Sequence, residues 1–181
     1  MKSDGAHQFS LKTLGVTDAS ELHSLAILTY KDTYRDLLTS QEIESRIAGK
    51  YQLRHFVQLL SDPTHFFWGI YLQETLMAYL HLSSSGKSDS VSTEHLMQLC
   101  RIYVHPHSKG KGIGRALMET AEDFSKSKGF QGLWLHCFDQ NLKSIQFYEK
   151  SNFKILGKDR FEIVAGFERF DVVMLKTNCP L

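Results

Sequence analysis

Arg101-Ile102-Tyr103-Val104-His105-Pro106 runs directly into His107-Ser108-Lys109-Gly110-Lys111-Gly112-Ile113-Gly114-Arg115. A β-branched and aromatic run of the kind that forms a strand stops at a proline, which cannot donate to a ladder. A glycine-rich turn follows, and a helix-period pattern begins behind it. Glycines at 110, 112 and 114 admit φ > 0 and let a ligand approach with no Cβ in the way. Successive N–H groups in such a turn converge on an anion, and the helix start adds its partial positive charge. Lys109, Lys111 and Arg115 put full charges at the rim. The stretch reads as a strand–loop–helix cradle for a pyrophosphate, with a plain turn as the alternative. Two nucleotide loops are excluded. No Lys-Ser or Lys-Thr follows the last glycine, and the spacing is G-x-G-x-G rather than G-x-G-x-x-G, past mid-chain.

At 181 residues the chain is long enough for a two-layer core and is expected to be a single domain, with its core over about residues 9–176. Lys and Arg number 21 against 20 Asp and Glu, a net charge of +1, so no global field draws the protein to nucleic acid or an anionic membrane. Cys100, Cys137 and Cys179 are an odd, scattered set without C-x-x-C, which argues against a disulfide framework and a metal site. The N-terminus has no apolar h-region and no 18-residue apolar run occurs, so the expected location is the cytoplasm.

Working outward from the loop, Leu96 to Val104 is the preceding strand and Ile113 starts the helix. Its apolar face is expected to hold Ile113, Ala116, Leu117, Thr120, Ala121 and Phe124, with Arg115–Glu119 and Glu122–Lys126 paired outside and Gly129 as the stop. Leu133 to Phe138 returns as a strand, so residues 96–138 form a βαβ unit with parallel strands and a right-handed crossover. Asn141 caps a short helix to about Lys150, and strands follow from Phe153 and over Phe170–Lys176. Upstream, Phe9–Leu11 reads as a strand. Thr17 or Asp18 caps a helix from Glu21 to about Thr33, Thr39 or Ser40 caps a second, and Leu53–Leu60 is a third. Residues 29–36 read as a substrate-facing lip or an amphipathic helix end. His65–Leu72 and Leu76–Leu82 form a hairpin about Gln73-Glu74. Ser83–Thr93 reads as an exposed loop, the stretch expected to move most. The fold class is α/β: a mixed, twisted, partly splayed sheet with helices on both faces.

Lys109-Gly-Lys-Gly-Ile-Gly-Arg-Ala-Leu117 resembles the acyl-CoA loop of the GNAT superfamily of N-acetyltransferases, whose signature is Gln/Arg-x-x-Gly-x-Gly/Ala. Asp139 to Phe153 resembles that family's second fingerprint, N-x-x-A-x-x-F-Y-x-K-x-G-F. Tyr30, Tyr34, the Phe66-Phe67-Trp68 strand and Gly166–Met174 resemble polyamine N-acetyltransferases of the Pai type. The departures are Lys109 for Gln or Arg, Ser144 for Ala, and Ser151-Asn152 for an apolar-Gly pair; Asn tolerates the left-handed region, so a helix C-cap is expected to survive. Many relatives carry a Glu near the strand end, where this chain has Gln98 and Cys100.

The resemblance implies acetyl-CoA as co-substrate, with no metal. Main-chain groups of the Ile102-Tyr103-Val104 strand, splayed by a bulge, would meet the pantetheine amides, chiefly at 102 and 104. The N–H groups of Lys109, Gly110, Lys111, Gly112, Ile113, Gly114 and Arg115 would hold the pyrophosphate. Asn141 would contact the pantetheine arm. Lys150 is either a 3′-phosphate partner or a solvated lysine. Tyr148 would donate a proton to the leaving thiolate, or else be a core aromatic. Direct transfer needs a neutral amine, and at pH 7 an alkyl ammonium of pKa about 10.4 is neutral about once in 2,500, a cost of roughly 4.6 kcal/mol. His105 and His136 have suitable ordinary pKa values, but no motif places either. Cys137 reads as a small buried hydrophobe rather than a nucleophile. The implied activity is acetylation of a small primary amine such as a polyamine, which a closed acidic pocket formed by Asp32, Asp36, Glu42 or Glu44 would favour, as an open groove beside the thioester would favour a protein substrate. Acetylation of a protein N-terminus or lysine, and a non-catalytic acyl-CoA-binding module, are the alternatives. Homodimerisation is a family-level expectation.

Overall fold

The strand before the glycine loop is β4 (Leu96–Val104), and the helix behind it is α4 (Ile113–Ser127), which returns the chain to β5 (Gly132–Phe138). This computed structural model describes residues 9–164 and 167–178; Gly166 and Cys179 lie outside the described residues. β4 and β5 pair in parallel from Leu96 opposite Gly132 to Gln98 opposite Trp134. Parallel neighbours need a long connection, and α4 supplies it. The remaining strands are β1 (Ser10–Thr13), β2 (His65–Leu72), β3 (Thr75–Ser83), β6 (Lys154–Val164) and β7 (Phe167–Thr177). All join by antiparallel pairing, in the order β1-β2-β3-β4-β5-β7-β6. The expected mixed α/β sheet forms.

Both faces are covered. On one, α4 packs Ile113, Leu117, Met118 and Ala121 against Leu80, Leu82, Met97, Leu99, Leu133 and Leu135. On the other lie α1 (Ala19–Tyr34), α2 (Ser40–Lys50) and α3 (Leu53–Ser61), whose Leu22, Ala26, Tyr30, Ile43 and Phe56 cluster with Phe67, Tyr79 and Phe138. Thr39 starts α2 with a capping box, accepting from the Glu42 N–H while Glu42 reaches back to the Thr39 N–H. The β2–β3 turn holds Gln73 at φ 47° and Glu74 at φ 64°, the left-handed pair whose twist matches a hairpin.

Two expectations about α4 fail for one reason. Ala116 is exposed, and the buried stripe runs through Met118 and Ser125 instead. Met buries more apolar surface than Ala, so the helix rolls toward it. That roll carries Glu122 to the sheet, where it pairs with Lys176 at 2.6 Å rather than with Lys126. Arg115–Glu119 forms as expected, at 2.9 Å.

Gly132 starts β5 where β7 crosses closely: a Cβ there would lie 2.3 Å from the Lys176 carbonyl oxygen and 3.0 Å from the Thr177 Cα. Both are backbone atoms and cannot swing aside. We predict that Gly132→Ala lowers stability by about 2 kcal/mol, read as a fall of several degrees in Tm. An unchanged Tm would show that the β5–β7 register yields freely.

Candidate active site

The sheet opens at β4. His81 faces Arg101 and Leu82 faces Leu99, so Cys100 is an extra residue, a β-bulge. Parallel pairing with β5 ends at Gln98–Trp134, whereas β4 stays on β3 as far as Val104 opposite Ala78. The His105 N–H donates to the Met77 carbonyl at 2.7 Å, which fixes the parity of the ladder. Residues 101, 103 and 105 therefore bond to β3, and the N–H and C=O groups of Ile102 and Val104 face the gap that β5 has left. Tyr103 instead sends its ring to Tyr79, centroids 5.7 Å apart.

A cavity of about 880 Å³ fills the opening, bounded by β4, β5, β7, the ends of α1 and α2, and a short helix, α5 (Leu142–Lys150). Lys109 and Gly114 mark its loop end. Gly110 and Gly112 have φ of 77° and 79°. Gly114 does not need the left-handed region: it is helical, and its missing Cβ leaves the Phe147 ring about one contact away, at 3.5 Å. Gly112 is the N-cap and offers no side chain, so the N–H groups of Ile113, Gly114 and Arg115 have no partner among the described residues. The Ile113 side chain is in the core. Two of the three rim cations are engaged: Lys109 bonds Asp32 at 2.5 Å, holding that carboxyl below its ordinary pKa, and Arg115 bonds Glu119. Lys111 is exposed and makes no ion pair among the described residues.

α5 sets the wall. The Asn141 Oδ1 accepts from the Ser144 N–H at 3.2 Å, capping the helix, while the buried residue borders the cavity. At the other end Asn152 takes φ 67°, Phe153 N–H bonds the Tyr148 carbonyl at 3.0 Å, and Asn152 N–H bonds that of Glu149 at 2.9 Å. This is a Schellman cap with Asn in the glycine position, and it is anchored on Tyr148 itself. The Tyr148 ring lies edge-on to Phe147 and Phe153, its hydroxyl has no partner among the described residues, and the residue borders the cavity. Burial raises its pKa far above the ordinary 10, so it stays protonated. Lys150 is exposed and does not border the cavity; Lys143, two turns earlier, does.

The opposite wall includes the stretch read from the sequence as a lip. Residues 30 and 32–36 border the cavity, so the stretch forms a lip as well as a helix end. Tyr51, Tyr30, Tyr34 and Phe138 form a ladder with successive centroids 4.8, 4.5 and 6.3 Å apart. Arg101 lies over Tyr51 at 5.5 Å, and Arg169 lies over Phe138 at 5.2 Å while pairing with Asp171 at 2.8 Å. The four acidic residues that could have made a polyamine pocket do not gather in one place. Asp32 and Asp36 border the cavity, but Glu42 is spent on its cap and Glu44 pairs with Lys31 at the surface. Burial pushes the Cys100 and Cys137 thiols up to about 12, so both are neutral.

Of the two histidines, His105 caps a turn, accepting from the His107 N–H, and stays outside this cavity. His136 borders it, with Nε2 2.7 Å from Asp159 Oδ2. Asp159 also accepts from the hydroxyls of Ser88 and Ser90 and from the Asp89 N–H, so the expected mobile loop is fastened across β6. No group of three or more His, Cys, Asp or Glu side chains among the described residues could hold a metal ion. No described helix is long and apolar enough to cross a membrane.

A mixed sheet opens beside a bulged strand, with an uncapped helix start at one end of the opening, and the family match identifies this as the architecture of an acyltransferase. The chain belongs to the acetyltransferase (GNAT) family, which it matches over residues 30–153. It is 27% identical over 158 residues to the spermidine N(1)-acetyltransferase of Thermoplasma acidophilum, covering 85% of this chain and 93% of that protein. The crystal structure of the PaiA N-acetyltransferase from Thermoplasma acidophilum in complex with coenzyme A superposes with a TM-score of 0.78 at 26% identity, over 94% of this chain and 99% of that one. The Escherichia coli ribosomal-protein-S18-alanine N-acetyltransferase shares the fold, with a TM-score of 0.68 at 16% identity, over 94% of each chain.

Burial alone would raise the Asp159 carboxyl, but hydrogen bonds from Ser90, His136 and Ser88 outweigh it and hold the pKa at about 2, below the ordinary 3.8. A depressed carboxylate stabilises the fold fully above its unfolded pKa and loses that contribution as pH falls through the folded one. We predict that Asp159→Asn is less stable to urea than the parent at pH 7, with the gap closing between about pH 4 and pH 2. A pH-independent gap would mean that the carboxylate's charge contributes nothing.

Proposed function

We propose that the protein transfers an acetyl group from acetyl-CoA to a small primary amine by direct attack. One observation carries this reading: the N–H groups of Ile113, Gly114 and Arg115, without partners among the described residues, and the main-chain edge at Ile102 and Val104 flank one cavity that Tyr148 also borders. That arrangement suits a long thioester with a diphosphate at one end. The loop, with Lys109, Gly110, Lys111 and Gly112 leading into the helix, would take the diphosphate on amide hydrogens. Ile102 and Val104 would pair with the amides of the arm, with Asn141 beside them, and Lys111 is a free cation for the phosphates. Lys143 suits the 3′-phosphate better than Lys150, because it borders the cavity. The coenzyme A complex of the PaiA protein supports the same cofactor here.

Acetyl-CoA supplies an acyl group activated as a thioester. The protein's share is to exclude water, orient the arm and manage two protons. Tyr148 donates its hydroxyl hydrogen toward the sulfur as the thiolate leaves. The burial that makes this phenol a weak acid also makes a naked thiolate a stronger base, so both sides of that hydrogen bond rise together. His136 is suited to accept the proton shed by the amine. Asp159, ionised, must accept from Nε2–H, which leaves the lone pair on Nδ1. The neutral thiols of Cys100 and Cys137 favour direct attack over an acyl-enzyme, because the thiolate is the nucleophilic form. The spermidine acetyltransferase relative supports a small amine as acceptor.

Release of free thiol from acetyl-CoA over a panel of primary amines tests the reading, and acetyl-CoA binding without turnover of any amine would leave a binding module instead. We predict that Tyr148→Phe lowers kcat about 100-fold, within the range of general acid catalysis, with acetyl-CoA affinity changed less than threefold. An undiminished kcat would remove Tyr148 from the chemistry. Gly112→Asp would put a carboxylate at the helix start against the diphosphate, and calorimetry should then show coenzyme A binding at least tenfold weaker. Retained affinity would place the cofactor elsewhere.

A further inference from the structure

Arg101 is the unexplained charge of the cavity. The bulge at Cys100 turns it onto the aromatic wall, where its guanidinium lies 5.5 Å from the Tyr51 ring centre and 5.8 Å from that of Phe56. No carboxylate among the described residues pairs with it. Among the described residues its one side-chain hydrogen bond goes to His81 Nδ1 at 3.3 Å. Because Nδ1 accepts there, His81 carries its proton on Nε2 and donates it to His65 Nδ1 at 2.8 Å. His81 is buried and stacked on Phe67 at 4.0 Å, and burial beside Arg101 keeps it neutral. The pair thus orients Arg101 without neutralising it. Aromatic faces attract a guanidinium but take none of its five N–H donors.

The surroundings sharpen the point. Asp32 is bound to Lys109, Asp171 to Arg169, and exposed Asp36 lies beside Arg35. Arg46, from α2, borders the same cavity and has no ion pair among the described residues. A second ammonium entering this wall meets surplus positive charge. A partly desolvated guanidinium held in one plane is instead a fork for an oxyanion.

We infer that the acceptor is a primary amine that also carries a carboxylate or phosphate, and that Arg101 binds this oxyanion. The inference rests on the acetyl-transfer reading only for which end of the acceptor reacts; the anion site itself stands on the charge and hydrogen bonding of the wall.

The test uses three amines of one length, 5-aminopentanoate, 1-aminopentane and 1,5-diaminopentane, which differ only in the charge of the far end, with 3-aminopropyl phosphate as the phosphate arm. Thiol release should give a kcat/KM at least tenfold higher for 5-aminopentanoate or 3-aminopropyl phosphate than for 1-aminopentane, with 1,5-diaminopentane lowest. In Arg101→Gln the ratio of the anionic to the neutral amine should fall toward one, and Arg101→Lys should keep part of it. Coenzyme A binding by each variant reports that it has folded. Should a variant not fold, the ranking on the parent protein still decides. Equal rates for the three five-carbon amines, or a preference for 1,5-diaminopentane, would overturn the anion site. Calorimetry on the coenzyme A-loaded protein separates the two proposals: tight 5-aminopentanoate binding without turnover keeps the site and sinks acetyl transfer, whereas turnover with no preference between ends does the reverse.

Discussion

β4 has to satisfy two neighbours that part company. It stays paired with β3 to Val104 but leaves β5 after Gln98, and the extra residue at Cys100 lies just past the point where the two ladders part. Side chains in a strand alternate faces, so one inserted residue reverses the alternation beyond it. Met97 and Leu99 pack on the α4 side before the bulge, and Ile102 and Val104 pack there after it. Arg101 and Tyr103 are thereby turned to the side of α1 and α3, with Tyr51, Phe56 and Tyr79. Without the bulge Arg101 would face an aliphatic core. A single residue therefore creates a free main-chain edge on one side of the strand and a charged wall on the other.

The same divergence settles which groups can do chemistry. The thiols and most of the phenols that border the opening are desolvated and protonated, Tyr30 being raised to about 12. Three carboxylates around it have partners: Asp32 with Lys109, Asp171 with Arg169, Asp159 with His136 and two serines. The Lys109–Asp32 bond has a second effect, because it ties the glycine loop to the C-terminal half of α1.

Much of the fold was legible in local pattern. The strand–glycine loop–helix run, the caps at Thr39 and Asn141 and the β2–β3 hairpin are each specified by a few adjacent residues. The phase of α4 was not, because Ala116 and Met118 fit neighbouring stripes and only the depth of the sheet chooses between them. The bulge left a trace, the apolar alternation slipping by one between Leu99 and Ile102, but a slipped alternation has several causes. The charged wall was the least legible part. Tyr30, Tyr51, His81, Arg101, His136, Arg169 and Asp171 come from six places in the chain and share no common spacing. Ser88, Ser90 and Asp159 are likewise joined only by the sheet, which is why a polar, glycine-containing segment read as loose.

The departures from the family signature follow from which atoms each position contributes. At Ser144 the contribution is an N–H, accepted by Asn141, and a serine supplies it as well as an alanine. At Asn152 it is a left-handed φ of 67°, which Asn adopts at modest cost, and the cap on the Tyr148 carbonyl closes as glycine would close it. At the helix start it is the N–H groups of residues 113–115, so the side chain of Lys109 is at liberty to bind Asp32 instead of an anion. Positions that act through the main chain tolerate exchange. Asn141 and Tyr148 present side-chain atoms to the cavity, and there this sequence keeps the residues that the signature asks for. The missing Glu belongs to the same logic. Cys100 occupies the bulge, where backbone geometry matters more than side-chain charge, and the opening draws its carboxylates from the end of α1 and from β7 instead.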